Sequence, residues 1–517
     1  MEEEKWIKSS VAELASFVIG GDWGKDPAKF SDEDYVEVNC IRGSEIRDWD
    51  INKGNSASLR LIKKASLEKR ALREGDILIE ISGGGPDQPV GRTVYIDKKS
   101  LSHNELPSVC TNFLRLYRPV ESINSRFLEL FFKSFYLSGE IINYQGGSNN
   151  LRNLKFKEFE TVNVPLPPLP EQERIVTKLD RLFGHLEQLK TRLDKIPQLL
   201  KDFRQAVLKK AFQGDLTRVW REEQVNLPTA EVVLKDIKVK RQELYEKRIS
   251  NWKIAVEEWQ NKGRNGKKPA KPKLEKEVSL IQQEEKENAG IIPDKWNWER
   301  IGNLFSVFVG STPSRSEKKY WENGNINWVS SGEVFFNHIR DTKEKVTKLG
   351  LMNASTILHP IGTVMLAMIG EGKTRGQAAI LAIEACHNQN TAAIRVPETG
   401  LSSEYLFHYL YYRYEQTRSL GSGNSQKALN KGRVREFIYP LCSSEEQKEI
   451  IQRVDALFSK ADLIESKYET LKTQIEQLPQ AILAKAFRGA LVAQLPTDGD
   501  ARELLEEIKK LKAEAEA

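Results

Sequence analysis

Glu171-Gln172-Glu173-Arg174-Ile175 and Glu446-Gln447-Lys448-Glu449-Ile450 are two versions of one phrase, 275 positions apart (446 minus 171). The offset holds without a gap through Asp180 and Asp455, Leu182-Phe183 and Leu457-Phe458, and Gln205-Ala206 and Gln480-Ala481, to Gly214 and Gly489. It also runs backwards through Pro165 and Pro440 and through Leu154 and Leu429 to Asn149 and Asn424. A chain of 517 residues exceeds one ordinary core, and the repetition says how it is divided: the chain is written twice.

Looser matches flank the phrase, with small changes of offset that mark loop insertions. Downstream, residues 230–237 match 501–508. Upstream, Gly75-Asp76-Ile77-Leu78-Ile79 matches Gly362-Thr363-Val364-Met365-Leu366, Gly91 matches Gly376, and residues 112–119 match 390–397. Each half is thus a variable block followed by a better matched helical one.

The helical blocks carry a seam. Ile175, Leu179, Leu182, Leu186, Leu189, Leu193, Ile196, Leu200, Phe203 and Val207 alternate by four and three, the spacing that keeps one face of a helix toward a partner helix. The second copy supplies Ile450, Val454, Leu457, Ala461, Ile464, Tyr468, Leu471, Ile475, Leu478 and Ile482, all apolar. Two such helices satisfy each other as a coiled coil, and the globular block between them lets them run antiparallel. Residues 171–213 as one helix would measure about 64 Å at ~1.5 Å per residue. Pro197 and Pro479 are each expected to kink or interrupt their helix. Gly214 and Gly489 stand where a C-cap falls.

The variable blocks read as strands. Residues 72–96 and 357–383 hold β-branched runs separated by glycine-rich turns, as in antiparallel hairpins, while 126–135 and 404–414 suit short covering helices. Between the halves, 261–277 (NKGRNGKKPAKPKLEKE) offers almost nothing to bury and reads as a flexible, solvated linker. The expected fold is α+β: two strand-rich α/β heads separated by a long antiparallel coiled coil of two repeated helices, a duplication with pseudo-twofold symmetry.

Several function classes find no support. Lysine and arginine number 79 against 73 acids, a formal +6, which permits nucleic-acid binding without proving it. Cys40, Cys110, Cys386 and Cys442 form no CxxC pair, so neither a disulfide framework nor a zinc site is suggested, and reduced thiols in a cytoplasm are the simplest reading. There is no signal-peptide core and no apolar run long enough for a membrane span. Gly370-Glu371-Gly372-Lys373-Thr374 ends like a phosphate-binding loop, but Ala367 stands where a glycine is required and a returning strand follows, so a hairpin tip is expected. Neither an amino-methyltransferase tetrapeptide nor a helicase set of motifs occurs, no metal cluster is expected, and no catalytic residue is assigned.

Val164-Pro165-Leu166-Pro167-Pro168-Leu169-Pro170-Glu171-Gln172-Glu173-Arg174-Ile175-Val176, then Leu179-Asp180, and a heptad helix closing on Ala211-Phe212-Gln213-Gly214-Asp215-Leu216 resemble the specificity subunits of type I restriction-modification enzymes. Trp298-Glu299-Arg300-Ile301-Gly302-Asn303-Leu304 and Asn388-Gln389-Asn390-Thr391 are similar to parts of that family's target-recognition domains. The second copy, Pro440-Leu441-Cys442-Ser443-Ser444-Glu445-Glu446-Gln447, departs by lacking the proline-rich staple of the first.

On this resemblance the chain divides into target-recognition domain 1 (1–164), a central coiled-coil region (165–225), a charged helical or flexible linker (226–290), target-recognition domain 2 (291–439), a distal coiled-coil region (440–495) and a helical tail (496–517). It implies a non-catalytic, cytoplasmic subunit whose two domains read a bipartite site in double-stranded DNA. It also implies two modification subunits that use S-adenosylmethionine to methylate adenine N6, and restriction subunits, translocases and nucleases, that use ATP and magnesium. This chain would itself hold no cofactor.

Side chains suited to base edges and phosphates in turn-like segments are Asn52, Lys53, Asn55, Ser56, Arg60, Lys63, Lys64 and Arg92 in the first half. In the second they are Arg315, Lys318, Lys319, Asn337, Arg340, Lys373, Arg375 and Gln426. The rival readings are a stand-alone DNA enzyme, which would act alone with magnesium or S-adenosylmethionine, and a coiled-coil scaffold, which would ignore DNA sequence.

Overall fold

A computed structural model describes residues 6–85, 88–102, 105–148, 151–265, 268–354, 356–370, 372–419 and 429–516. The chain forms two compact units, one from residues 1–194 and 468–517 and the other from 195–467. Each combines a strand-rich head with one end of each long helical segment.

The head of the first unit is built on Ile77–Glu80, three apolar residues and a glutamate, all four buried. A strand covered on both faces has no polar side to present, which is why it sits inside its sheet. The order is Ala15–Gly20, Leu114–Pro119, Ile77–Glu80, Thr93–Tyr95, all antiparallel. A second sheet runs Ser58–Lys63, Tyr35–Ile41, Ser108–Cys110, with its last pair parallel.

The head of the second unit repeats this plan. Ser306–Val309, Thr391–Arg395, Val364–Ala367 and Ala378–Leu381 follow the same order, and Asn337–Ile339 adds a parallel edge strand. Glu344–Val346, Ile326–Val329 and Ala385–His387 form the second sheet, again ending in a parallel pair. Ser125–Leu137 and Ser403–Tyr412 are the expected covering helices.

Strand pairing corrects one detail of the internal alignment. Ile77 lies opposite Tyr117 and its counterpart Val364 opposite Ile394, so this strand repeats at an offset of 277 (394 minus 117), not the 278 of matching 112–119 to 390–397. A slip of one residue turns every side chain of a strand to its other face, and pairing resolves what letter matching does not.

In each unit, the repeated Glu-Gln joins head to helix. Gln172 accepts a hydrogen bond from the Asn124 N–H at 3.0 Å and donates to the Pro167 carbonyl at 2.8 Å. Gln447 accepts from the Ser402 N–H at 3.0 Å and donates to the Cys442 carbonyl at 3.3 Å. Asn124 and Ser402 are themselves N-caps of the covering helices, so one buried amide ties a helix start to a helix start. The adjoining glutamates are buried too: Glu171 accepts from the Trp6 indole at 3.2 Å, and Glu446 from the Trp296 indole, Thr217 and Arg221 at 2.8, 2.8 and 2.7 Å.

The helices pair antiparallel within the second unit: Arg204 meets Asp462 and Glu465, and Thr217, further along, meets the earlier Glu446. In the first unit, Ile175 and Leu179 share a buried cluster with Leu483 and Ala486. Pro197 falls where Leu169–Leu193 ends and Ile196–Phe212 begins, but Ser444–Ala486 passes Pro479 without interruption, against expectation. Proline removes a single backbone bond, and Ile475 and Leu483 are buried on either side of it.

Of the expected seam, Ile175, Leu179, Leu186, Leu200, Ile450, Val454, Ala461, Tyr468 and Ile475 are buried, and Leu182, Leu193, Ile196 and Leu457 half-buried. Leu189, Phe203, Ile464 and Leu471 are 45%, 40%, 49% and 46% exposed. Both rows are buried at Ile175, Leu179, Ile450 and Val454; beyond them one row is sealed at Leu186, Leu200, Ala461, Tyr468 and Ile475, while the alternate row is half-buried or exposed.

The described part of the stretch expected to be a flexible linker forms no helix or strand past Asn261, but it is tied to its neighbours. Helix Ala230–Asn261 precedes it, and the chain then returns: Trp252 donates to the Pro269 carbonyl at 3.0 Å, Lys431 pairs with Glu275 at 2.9 Å, and the Val278 N–H donates to Asn303 at 2.7 Å. Composition misled because two indoles supply the missing anchorage, with Lys271 lying over Trp252 and Lys268 over Trp259. The matched 230–237 and 501–508 also serve alike: Ala230 and Ile237 enter the core of the second head, Leu504 and Ile508 that of the first.

Replacing Gln447 with alanine strands one buried donor and one buried acceptor. Chemical denaturation should register a loss of about 1–3 kcal/mol; an unchanged midpoint would show that the amide ties nothing.

Candidate nucleic-acid interface

The parallel strand pair of each head ends on one side, and loops gather past those ends. In the first head, 42–47 follows Tyr35–Ile41 and 111–113 follows Ser108–Cys110. They meet the turn at 21–24 and the hairpin between Ile77–Glu80 and Thr93–Tyr95 around a cleft of about 690 Å³, lined by Trp23, Arg42, Arg47, Gln88, Arg92, Asn112 and Phe113 among others.

Two devices repeated in both heads set these loops. Gly21 packs so closely on the Cys110 and Thr111 carbonyls that a Cβ would lie 2.2 Å from each oxygen, and a Cβ on Gly310 would lie 1.9 Å from the His387 oxygen. Only glycine lets the chain cross there. Next, Glu45 closes a capping box on Arg42 and Glu333 closes one on Ser330, each accepting the backbone N–H at 2.6 and 2.7 Å. Both carboxylates are buried, so the short turn each closes is tied at its start.

Four charged side chains line the cleft, Arg42, Arg47, Glu80 and Arg92, and most of that charge is committed. Arg92 donates Nε to the buried Glu80 at 2.9 Å, and this pairing holds its pKa above the ordinary guanidinium range; Glu45 does the same for Arg42. Arg47, Asn112 and the half-exposed Phe113 line the cleft without such fixing.

Of the residues proposed from sequence, Arg92 lines the cleft and Arg60 supports it, donating to the Trp23 carbonyl at 3.0 Å with its guanidinium 4.1 Å from the indole centre. Asn52 ends helix Trp49–Asn52 and Lys53, Asn55 and Ser56 lie on the turn after it, all outside the lining, with Lys53 paired to Asp97 at 3.2 Å. Lys63 and Lys64 are exposed where Ser58–Lys63 gives way to Lys64–Arg70. In the second head, Arg315 is clamped by Glu344 and stacks 3.9 Å from the Trp321 centre and 5.0 Å from that of Trp328. Lys318 and Lys319 pair with Glu322 and Glu317. Asn337 caps the Phe335 N–H at 3.1 Å, Arg340 and Lys373 are exposed, and Arg375 donates to the Arg418 carbonyl at 2.9 Å. Gln426 lies outside the described residues. Gly370, Gly372, Lys373 and Thr374 fall at the hairpin between Val364–Ala367 and Ala378–Leu381, as expected, and Glu371 lies outside the described residues.

Sequence reading missed Arg42, Arg47, Gln88, Asn112 and Phe113. The available signal was faint: 42–45 and 330–333 repeat at an offset of 288 (333 minus 45) but share only the glutamate.

All four cysteines are buried and unpaired by disulfides. Burial pushes the Cys40 and Cys386 thiols up to about 12, and Cys110 and Cys442 are raised likewise. Among the described residues no group of three histidine, cysteine, aspartate or glutamate side chains is placed to hold a metal ion, and no helix is long and apolar enough to cross a membrane.

Beyond this geometry stand the relatives. Residues 3–198 and 293–473 match the sequence model described as the type I restriction modification DNA specificity domain. The chain is 26% identical to the type I restriction enzyme EcoKI specificity subunit of Escherichia coli K12, over 99% of this chain and 96% of that protein. It is 27% identical to the StySPI specificity subunit of Salmonella potsdam, again over 99% and 96%. The solved HsdS subunit from Thermoanaerobacter tengcongensis shares the fold, with a TM-score of 0.55 at 17% identity, covering 94% of this chain and 98% of that one. The chain belongs to the type I restriction-modification DNA specificity family, whose members are non-catalytic recognition subunits.

The second head carries a pH liability beneath its loops. His387, buried under 388–390, shares a hydrogen bond with Thr391 at 2.7 Å, and buried His359 accepts from Arg395 at 3.2 Å. Burial lowers their pKa values to about 4 and about 2 respectively. Both lie below the ordinary imidazole value of about 6.5, so in acid the unfolded chain binds more protons than the folded one. Their contribution to stability is complete above about pH 6.5 and declines as pH falls toward 4. Melting temperatures should drop across that window, and less steeply in His387→Asn; an identical slope in the variant would clear His387 of the effect.

Proposed function

We propose that the two heads read the two halves of a split site in double-stranded DNA, each through the loops past its parallel strands. The paired helices carry two modification subunits, which bring S-adenosylmethionine and methylate adenine N6. Restriction subunits, using ATP and magnesium, join that assembly in the cytoplasm. The carrying observation is one scaffold built twice with different side chains on the same loops. Repeated Gly21/Gly310 and Glu45/Glu333 fix the backbone, while Trp23, Arg42 and Asn112 have no identical counterparts in the second head. A reader of two unlike short sequences needs that combination, since phosphate contacts position a protein and base contacts specify.

Two further features support the partner assignment. The exposed apolar residues of the helices, Leu189 and Leu471 in the first unit and Phe203 and Ile464 in the second, suit helices of another subunit laid against each. A scaffold indifferent to DNA would have no use for polar loops, tied at their start, that differ between otherwise matched heads.

Exchanging residues 11–150 for the equivalent of a family member with another target retains Trp6, Gln172 and the C-terminal helix that complete this head. Methylation mapping in cells should then show one half of the motif changed and the other intact. A change in both halves, or in neither, would contradict the assignment of one head to one half-site.

A further inference from the structure

Just past the buried box glutamates the two heads diverge in backbone and in chemistry: Arg47 continues the helical turn of Gly43–Ile46, while Val334 is extended and leads into Phe335. Counting from the buried box glutamates, Ile46 and Val334 come next and are both buried, and Arg47 and Phe335 follow. Both are exposed, Phe335 by 58%. Arg47 lines the cleft of the first head and, among the described residues, has no ion-pair partner, unlike Arg42 and Arg92 beside it.

Phe335 is presented deliberately. The next residue, Phe336, takes a left-handed backbone with φ of 60°, a conformation bulky side chains rarely adopt. It is held there by its ring against Tyr411 and Tyr414, centroids 4.5 and 5.1 Å away, and by its N–H on the Ala378 carbonyl at 2.8 Å. Burying Phe336 turns Phe335 outward, and Asn337 caps the Phe335 N–H. Strain kept to expose an aromatic ring needs a purpose outside the head.

We infer that Arg47 and Phe335 are specificity-determining residues of the two half-sites: Arg47 donates to the O6 and N7 acceptors of a guanine, and Phe335 packs on the C5 methyl of a thymine. This rests on the proposed reading of DNA by both heads. A guanidinium is the side chain that spans the two guanine acceptors in the major groove, and an apolar ring meets the thymine methyl, the one hydrophobic feature there. The capping box ties the start of each loop to a buried carboxylate two residues before the contact side chain.

The test uses the intact complex of this chain with its modification subunits, in competition binding against duplexes bearing its methylated motif. In the wild type, 7-deazaguanine at one guanine of one half-site should weaken binding, and uracil at one thymine of the other half-site should do so as well. Arg47→Ala should reduce discrimination at that guanine by roughly 5- to 150-fold, the range for one bidentate contact, and become indifferent to the deaza base. Phe335→Ala should become indifferent to uracil. Each variant should keep wild-type discrimination in the opposite half. No sensitive guanine or thymine in the wild type, or variants that stay sensitive to the modified bases, would overturn the inference while leaving the two-head reading intact. Equal loss across both halves would overturn it too, because a base contact acts at its own pair. A wild-type complex that discriminated no position in either half would instead sink the reading beneath it.

Discussion

The structure depends on the buried Glu-Gln pair at the start of each long helix. A carboxamide that accepts from one helix N-cap and donates to the carbonyl preceding another helix fixes two directions at once, for Gln172 and again for Gln447. Beside it, Glu171 and Glu446 are buried against tryptophan indoles, Trp6 and Trp296. Burial raises the Glu171 pKa, the Trp6 indole opposing that rise. Buried polar groups like these contribute little net stability, but leaving any one unmatched is costly, so they specify a single attachment. A head fixed this way can vary its loops without loosening its tie to the helix.

That separation of duties explains which features were legible in the sequence. The Glu-Gln phrase, the seam and the paired glycines at 214 and 489 stood out because attachment demands the same residues in both copies. The strand equivalences were harder. Letter matching aligned 112–119 one place out, since no residue type on that strand is required in both heads; Arg118 pairs with Asp76 in one, while Arg395, at the same position, pairs with Glu398 and bonds His359 in the other. The seam was read as two complete rows, but beyond Ile175, Leu179, Ile450 and Val454 two helices alone seal only one. The ties of the linker are not legible in its composition, because they come from residues outside it, such as the Trp252 indole on the Pro269 carbonyl.

The loops were least legible. Charged residues were chosen there by type, yet Arg60, Arg92, Arg315 and Arg375 are already engaged by carbonyls or carboxylates of their own head. An arginine so held is a strut or a preorganised contact, and only geometry tells which side chains remain free. Within the first head, those gathered at the cleft are Arg47, Asn112 and Phe113, residues that no composition rule favours over their neighbours. Function sits where the scaffold's constraints stop, and there the chain's two copies cease to resemble each other.

The central claim is that this chain chooses the DNA sequence that partner subunits modify. It is tested most directly by single-molecule sequencing of adenine methylation in cells carrying the whole system, with this gene intact and with it deleted. One split motif, methylated in the first genome and unmethylated throughout the second, is the predicted result; identical methylation in both would contradict it.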